Sequence, residues 1–210
     1  MGKDKSKYRN EEGIRFRIGS LVYTHETAIS NMGAAYDCPS DAQGLCDCSD
    51  VCYGKKAERL YPKVLPARRR QETMWKTIPA SAFINALRKM WEKNNIKRWR
   101  VNEVNDLATQ ADVDKLNEIA DNVPQIVFTY TANWKLNLVH AVFKVKLSHD
   151  FDVPGTTGRA IIIPKGSPAP TGYILCPKTS RPEVKRCDDG KCGICFADSS
   201  RPINVAFWRH

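Results

Sequence analysis

Eight cysteines are the residues in this 210-residue sequence most suited to chemistry, and they fall into two groups of four. The first group has the spacing C-x7-C-x-C-x3-C and the second has C-x10-C-x4-C-x2-C. The members are Cys38, Cys46, Cys48 and Cys52, then Cys176, Cys187, Cys192 and Cys195. Four thiolates can hold one tetrahedral zinc ion or one 4Fe–4S cluster. The cysteines therefore predict two metal or cluster sites, and spacing alone leaves zinc and iron–sulfur open.

The two groups differ in regularity. In the second group Cys192 and Cys195 form a tight chelating loop, and Gly190 and Gly193 give the backbone freedom to wrap around an ion. In the first group a single residue separates Cys46 from Cys48, which is unusual for paired zinc ligands. This spacing favours a cluster or mixed ligation for the first group.

Composition limits the class of protein. With 42% hydrophobic residues the chain can bury one sizeable core, so we expect one domain. The charged N-terminus lacks the apolar segment of a signal peptide, and no later run is long and apolar enough to span a membrane. We therefore expect a cytoplasmic protein without a membrane partner. Cytosolic thiols are kept reduced, which favours ligation of the cysteines over disulfides or unliganded thiols.

The net charge of +10 is concentrated in one segment. Residues 53–100 contain 14 Lys and Arg against three Glu, whereas the rest of the chain is close to neutral. Such a segment can bind the phosphate backbone of a nucleic acid, and Arg68, Arg69 and Arg70 are the candidate contacts because they closely follow the first cysteine group. The alternative is a solvated helix face.

Hydrophobic periodicity predicts a single α/β domain. A disordered lead is expected over residues 1–12, an α/β region over 13–175 with a cysteine loop at 38–52, and a metal- or cluster-binding segment over 176–210. The first predicted strand runs from Ile14 to Tyr23. Further strands are predicted near Trp99 and Val101 and over residues 126–131, 143–147 (half-exposed), 160–163, 173–175 and 204–208. Predicted helices span 51–61, 66–76, a segment capped by Ser81 that ends near Asn94, and a segment opened by Thr109. Strand, helix and strand around the last helix form a βαβ unit with parallel strands.

Polar residues follow several predicted strands. Parallel sheets place ligands at the carboxyl ends of strands, because loops from several strands meet there. The candidates for binding a cofactor or substrate are Asn102, Glu103, Asn105, Asp106, Thr131 and Ser148. Among them Glu103 is the candidate catalytic residue. The alternative is that Glu103 and Asp106 only cap the following helix.

Several segments together resemble a known family. They are the run from Cys48 to Arg70, residues 101–106, 110–115 and 128–131, and the second cysteine group. In this order they are similar to the phage "gene product 88" type family, over roughly residues 36–196.

The resemblance implies a layout like that of radical-SAM proteins. It implies a cysteine loop after the first strand, a partial parallel (β/α) barrel, and a C-terminal auxiliary cluster site, with iron–sulfur clusters and S-adenosylmethionine as cofactors. The radical-SAM pattern C-x3-C-x2-C is matched only in its first spacing, since Lys55 stands where a third cysteine would be. An iron open to S-adenosylmethionine then requires Cys38 or Cys46 as the third ligand, whereas four bound thiolates close the cluster. The implied activity is modification of a nucleic acid or nucleotide; the alternative is a non-catalytic zinc- or cluster-stapled module that binds nucleic acid or protein.

Overall fold

The computed structural model of the chain describes residues 7–20, 23–47, 49–181, 183–187, 192–196 and 202–209. The strands are β1 (Lys7–Arg9), β2 (Arg15–Ile18), β3 (Thr27–Ser30), β4 (Arg98–Val101), β5 (Ile126–Thr131), β6 (Lys144–Leu147), β7 (Ala160–Ile163), β8 (Ile174–Leu175) and β9 (Val205–Trp208). The helices are α1 (Pro39–Ala42), α2 (Tyr53–Leu60), α3 (Val64–Thr77), α4 (Ala80–Asn94), α5 (Gln110–Asp121) and α6 (Pro177–Ser180).

Two sheets organise the domain. The larger sheet has six strands in the order β1-β2-β3-β4-β5-β6, and the smaller has three in the order β7-β9-β8. Strands β3 to β6 are parallel neighbours, whereas β1, β2 and β3 pair antiparallel. The fold is therefore mixed α/β with a mostly parallel main sheet, and the parallel pairing of β4 with β5 agrees with the predicted βαβ unit.

One face of the main sheet packs against α3, α4 and α5. The ring of Trp99 on β4 lies 5.9 Å from that of Phe16 and 6.1 Å from that of Phe83. Phe83, Leu87 and Met90 are fully buried on one side of α4, at the spacing of an amphipathic helix. This aromatic and aliphatic layer is the main hydrophobic core.

The opposite face of β4, β5 and β6, here called the inner face, carries Arg100, Phe128, Tyr130 and Lys146. In the parallel register Arg100 lies beside Phe128 and Tyr130 lies beside Lys146, so these side chains project to the same side. Lys146 is only 1% exposed and Arg100 only 8%. The C-terminal segment covers this face, since the ring of Phe196 lies 5.1 Å from that of Phe128.

Three sequence predictions at the start of the sheet need correction. The predicted disordered lead contains β1, which pairs with β2; residues 1–6 lie outside the described part. The predicted first strand ends at Ile18, where Gly19 adopts a φ of 68°, and residues 21 and 22 of the prediction lie outside the described part. The sequence does not predict β3, because Thr27–Ser30 is short and buried on both faces and so has no alternation of polar and apolar residues. The cysteine loop consequently follows β3, the third strand.

Two further predictions are wrong in detail. Strand β6 was predicted to be half-exposed, but its lysine at position 146 is buried beneath the C-terminal segment. Ser81 was predicted to cap α4, but that helix begins at Ala80 after Pro79 and has no side-chain cap. In the described part of the chain, none of the helices has the length and apolar character needed to cross a membrane.

The capping residues give a direct test of this fold. Thr109→Ala should lower the free energy of unfolding by about 1 kcal/mol, because Thr109 and Asp112 form a reciprocal capping box at the start of α5. Ser81→Ala should change it by less than about 0.5 kcal/mol, since Ser81 caps nothing. Urea denaturation of both variants measures the difference, and equal losses would contradict these helix boundaries.

Candidate functional site

The carboxyl ends of β3, β4, β5 and β6 form one rim of the main sheet, and the predicted binding residues lie there. Asn102 is 2% exposed and has a left-handed φ of 55°. Its Oδ1 accepts a hydrogen bond from the backbone N–H of Met32 at 2.7 Å, whereas its Nδ2 is buried without a hydrogen-bond partner. Asn102 therefore shapes the rim by holding the segment that follows β3.

Both carboxylate oxygens of Asp106 accept hydrogen bonds from other groups of the chain. Its Oδ2 accepts hydrogen bonds at 2.7 Å from the hydroxyl of Ser40 and from the N–H of Ala132, and its Oδ1 accepts one from the N–H of Leu107. The Thr131 hydroxyl also hydrogen-bonds this carboxyl, and burial raises the pKa of Asp106. Asp106 and Thr131 therefore act as ties between the cysteine loop, β4 and β5, and the geometry does not present either one to a ligand.

The other predicted rim residues also have partners within the chain. Asn105 has a φ of 73°, and its Nδ2 donates to the carbonyl of Ala34 at 2.6 Å. The carboxylate of Glu103 pairs with Arg17 at 2.6 Å, and its carbonyl accepts a hydrogen bond from the hydroxyl of Tyr53. The backbone N–H of Ser148 donates to the carbonyl of Thr131 at 2.7 Å. Glu103 is therefore at the rim but is neutralised by an arginine.

The first cysteine group lies directly above this rim. Cys38 precedes α1, and its electrostatic neighbours include Asp106 and Cys46. Burial raises the pKa of the Cys38 thiol to about 11. Lys55 has both Cys38 and Cys52 among its electrostatic neighbours, and its Nζ is held by Asp41 at 2.6 Å.

A buried histidine ties the same loop to the end of β6. The Nδ1 of His149 lies 2.8 Å from Oδ2 of Asp47, and its Nε2 lies 3.0 Å from the carbonyl of Ala132. The sequence gives no metal pattern around His149. The predicted ligand Cys48 lies outside the described residues.

The second cysteine group converges on the inner face. Cys176 precedes α6, and both Cys192 and Cys195 are close enough to act on its charge. Cys195 is buried and hydrogen-bonds the hydroxyl of Tyr130. Burial raises the pKa of both Cys176 and Cys195. Cys187 packs in the same buried cluster as Cys195.

The described cysteines supply thiol donors without a finished ligand geometry. All seven are thiols rather than disulfides. Among the residues that the structure describes, no three His, Cys, Asp or Glu side chains stand close enough together to hold a metal ion. The structure thus brings pairs within each group together, and it does not show the predicted convergence of four sulfur atoms.

Tyr53 lies between the first cysteine group and Arg100 on the inner face. It follows Cys52 directly in the chain, and its side chain is 52% exposed. Tyr53 and Cys195 are both electrostatic neighbours of Arg100 on the inner face. The sequence analysis missed Tyr53, Arg100 and Lys146. Their signal is the alternation of basic and apolar residues in Arg98–Val101 and Lys144–Leu147, which places basic side chains on one face of the sheet.

The three candidate arginines for nucleic acid have different environments. Arg68 is buried, and its Nη1 lies 2.7 Å from Oε1 of Glu58. The same Oε1 accepts a hydrogen bond from the N–H of Ala35 in the cysteine loop. The prediction that Arg68 contacts phosphate is therefore wrong, since its guanidinium braces the loop from within. Arg69 is exposed and pairs with Asp37 at 2.9 Å, and Arg70 is exposed.

Comparison with known proteins bears on the region that contains the first cysteine group and the rim. The family model described as Gene product 88 matches residues 3–153 of the 210-residue chain. The chain belongs to the Gene product 88 family. No curated protein and no solved structure matches it. The Gene product 88 match includes β1 to β6 and ends before the second cysteine group, whereas the resemblance noted in the sequence was expected to continue to about residue 196.

The two neighbouring arginines allow a matched stability test. Arg68→Met should lower the free energy of unfolding by about 3–5 kcal/mol, because it leaves the carboxylate of Glu58 buried without its partner. Arg70→Met should change it by less than about 0.5 kcal/mol, since Arg70 is exposed. Denaturant unfolding followed by circular dichroism measures both. A small effect at position 68 would contradict a bracing role for this ion pair.

Proposed function

We propose that this member of the Gene product 88 family is an iron–sulfur protein of radical-SAM-like layout. The observation that supports the proposal is the meeting of the two cysteine groups around one sheet, although more than a hundred residues separate them in sequence. The first group lies at the rim beside Asp106, and the second lies against the inner face beside Tyr130. Tyr53, which follows the first group, and Cys195 of the second group are both electrostatic neighbours of Arg100.

The strand order supports a partial barrel as part of this proposal. Strands β3 to β6 follow one another in both sequence and space, as in a singly wound parallel sheet. A parallel bridge from Leu147 to Arg159 continues this order beyond β6 towards β7. A curved sheet of this kind has a concave face, and the inner face with its covering C-terminal segment fits that description.

The donor chemistry fits clusters in both groups. Each group offers four thiols, which are the usual ligands of iron–sulfur clusters. Cys38, Cys46, Cys48 and Cys52 would hold one cluster, and Cys176, Cys187, Cys192 and Cys195 the other. A bound cluster would supply one-electron transfer next to the inner face. Zinc in either group is the alternative, and it would make that group a structural staple.

The chain's own residues prepare the first group for ligation. Lys55 places a positive charge near Cys52 and Cys38, where it would help to balance the charge of metal-bound thiolates. Its Nζ also donates to the hydroxyl of Ser49 at 3.0 Å, so the lysine is fixed in place. Lys55 occupies the position of the third cysteine in the radical-SAM pattern. Binding of S-adenosylmethionine at iron would therefore require that one of the four thiolates stays out of the ligand set.

Metal analysis tests this proposal. Wild-type protein purified without oxygen should be brown and contain about four iron and four sulfide ions per cluster, hence about eight of each for two clusters. Cys38→Ser and Cys192→Ser should each remove one cluster's iron, and Ser81→Ala, which lies in α4, should keep the wild-type content. A colourless protein with zinc in both groups would contradict the iron–sulfur proposal and support two structural zinc sites. Protein that contains neither metal would contradict both readings.

An activity assay separates an enzyme from a cluster-stapled module. Reduced, iron-loaded protein is incubated with S-adenosylmethionine, and cleavage of the sulfonium is measured. Cleavage that Cys38→Ser or Cys52→Ser abolishes supports the enzyme. Its absence in iron-loaded protein supports a non-catalytic cluster protein.

A second candidate function is binding of nucleic acid by the basic segment 53–100. The observation that favours it is a set of exposed cations on and beside α2 and α3 that have no carboxylate partner among the described residues. These are Lys56, Arg59, Lys63 and Arg70. Fixed charges of one sign on neighbouring helices attract a phosphate backbone.

A gel-shift series over salt concentration tests the second candidate. Replacing Lys56, Arg59, Lys63 and Arg70 by Gln should weaken binding of duplex DNA and lower the salt slope by about 0.9 for each lost phosphate contact. The exposed Lys135 and Lys165 lie outside the segment, so their replacement by Gln is the control. Absence of binding at low salt, or an equal effect of the control, would leave this surface as a solvated helix face.

A further inference from the structure

Arg100 is a buried arginine without a carboxylate partner among the described residues. It is 8% exposed, and no described group hydrogen-bonds its Nε. Arg98, two residues earlier on the same face, instead pairs with Glu26 at 3.3 Å. A guanidinium keeps its charge inside proteins, and buried charges are normally paired. Within the described part of the chain, Arg100 therefore has no carboxylate as a counter-charge.

Two aromatic rings lie close to the Arg100 guanidinium. Its central carbon lies 4.3 Å from the ring centroid of Tyr130 and 5.5 Å from that of Phe128. Cation–π contacts of this kind hold the guanidinium next to the rings. The other groups close to its charge are Tyr23, Tyr53 and Cys195. At neutral pH these phenols are neutral donors, so they do not compensate the charge.

A second buried cation lies on the same face. Lys146 is 1% exposed, and its Nζ donates to the carbonyl of Ile203 at 2.6 Å and to that of Thr157 at 3.2 Å. No described carboxylate pairs with it. Cys195 is an electrostatic neighbour of both Lys146 and Arg100. Two cations in a poorly solvated region raise the local positive potential well above that of a water-exposed pair.

Tyr53 links the rim to the surroundings of Arg100. Tyr53 lies near Arg100, yet it is 52% exposed. Its hydroxyl reaches the carbonyl of Glu103, so Tyr53 lies at the edge between solvent and the inner face.

We propose that the inner face contains an anion-binding subsite centred on the Arg100 guanidinium, which takes a phosphate or carboxylate group of a small molecule. The planar fork of arginine matches both groups through two parallel hydrogen bonds. The hydroxyls of Tyr23 and Tyr53 are further donors near the same point. The subsite stands on the unpaired guanidinium and does not depend on iron in either cysteine group.

Calorimetric titration of the full-length, anaerobically purified protein tests the subsite, with inorganic phosphate and acetate as separate probes. Wild type should bind one of them at one site per chain, and Arg100→Met should weaken that binding at least about tenfold. Arg100→Lys should give an intermediate affinity, because it keeps the charge and loses the fork. The tighter probe tells whether the natural ligand presents phosphate or carboxylate.

Arg159→Met is the matched control. Arg159 also stacks on a tyrosine, Tyr173, at 5.2 Å, but Asp150 and Asp152 already pair with it at 3.3 Å and 3.4 Å. Its replacement should therefore leave anion affinity unchanged. An equal loss in Arg159→Met and Arg100→Met, or no saturable binding of either probe to wild type, would overturn the subsite.

The thermal unfolding midpoint distinguishes anion binding from a purely structural stack. Without anion, Arg100→Met should unfold at or above the wild-type temperature, because it removes an unpaired buried charge. A lower midpoint combined with unchanged anion affinity would overturn the proposal. If Arg100→Met does not fold, Arg100→Lys carries the affinity comparison. Iron is measured in the same samples: anion binding without iron contradicts only the cluster proposal, and iron without anion binding contradicts only the subsite.

Discussion

The buried carboxylate of Asp106 is the interaction on which the arrangement of the rim depends. It accepts hydrogen bonds from the loop that carries the first cysteines, from its own turn after β4, and from the turn after β5. Each of these donors is buried, so loss of the carboxylate would leave several polar groups without partners at once. The position of the first cysteine group over the sheet is thus set by hydrogen bonds of the chain itself. Ligation would act on a loop that is already in place.

The main sheet separates two different interiors. Its outer face, against α3, α4 and α5, is aromatic and aliphatic and supplies the stability of the domain. Its inner face carries cations and phenols, which contribute less to stability and are costly to bury. The C-terminal segment covers that inner face with Phe196 and the second cysteine group. The two faces of one sheet therefore differ in kind: the outer face stabilises the domain, and the inner face buries charge at a cost to stability.

The sequence predicts the local parts of this structure well. The bounds of β5 and the cap of α5 agree with the structure, because a continuous apolar run and a capping residue act within a few neighbours along the chain. Strand β3 escapes prediction, because its four residues are all buried and have no periodicity of their own. Membership in the Gene product 88 family is confirmed, because the family model matches residues 3–153.

Residue roles at the rim could not be predicted in the same way. Asn102 and Asn105 look like ligands because they follow a strand, but their amides bind backbone groups about seventy residues earlier in the chain. Arg68 looks like a phosphate contact because two arginines follow it, yet only a folded structure shows that Glu58 pairs with it. Long-range pairing of this kind has no local signature. The inner face, in contrast, has a local signature, which is the alternation of basic and apolar residues in two strands. This alternation is typical of a solvent-exposed sheet face, and only the structure shows that the C-terminal segment covers it.

The two rim asparagines limit how this part of the chain can change. Each position requires a left-handed backbone and a side-chain amide at the same time. Glycine satisfies the first requirement and loses the second, while glutamine retains an amide but is strained in that backbone. Asparagine meets both at little cost, and at position 102 aspartate would also do so, because the hydrogen bond there needs only an acceptor. These two positions therefore restrict which side chains the turn after β4 can accept, whatever the first cysteine group binds.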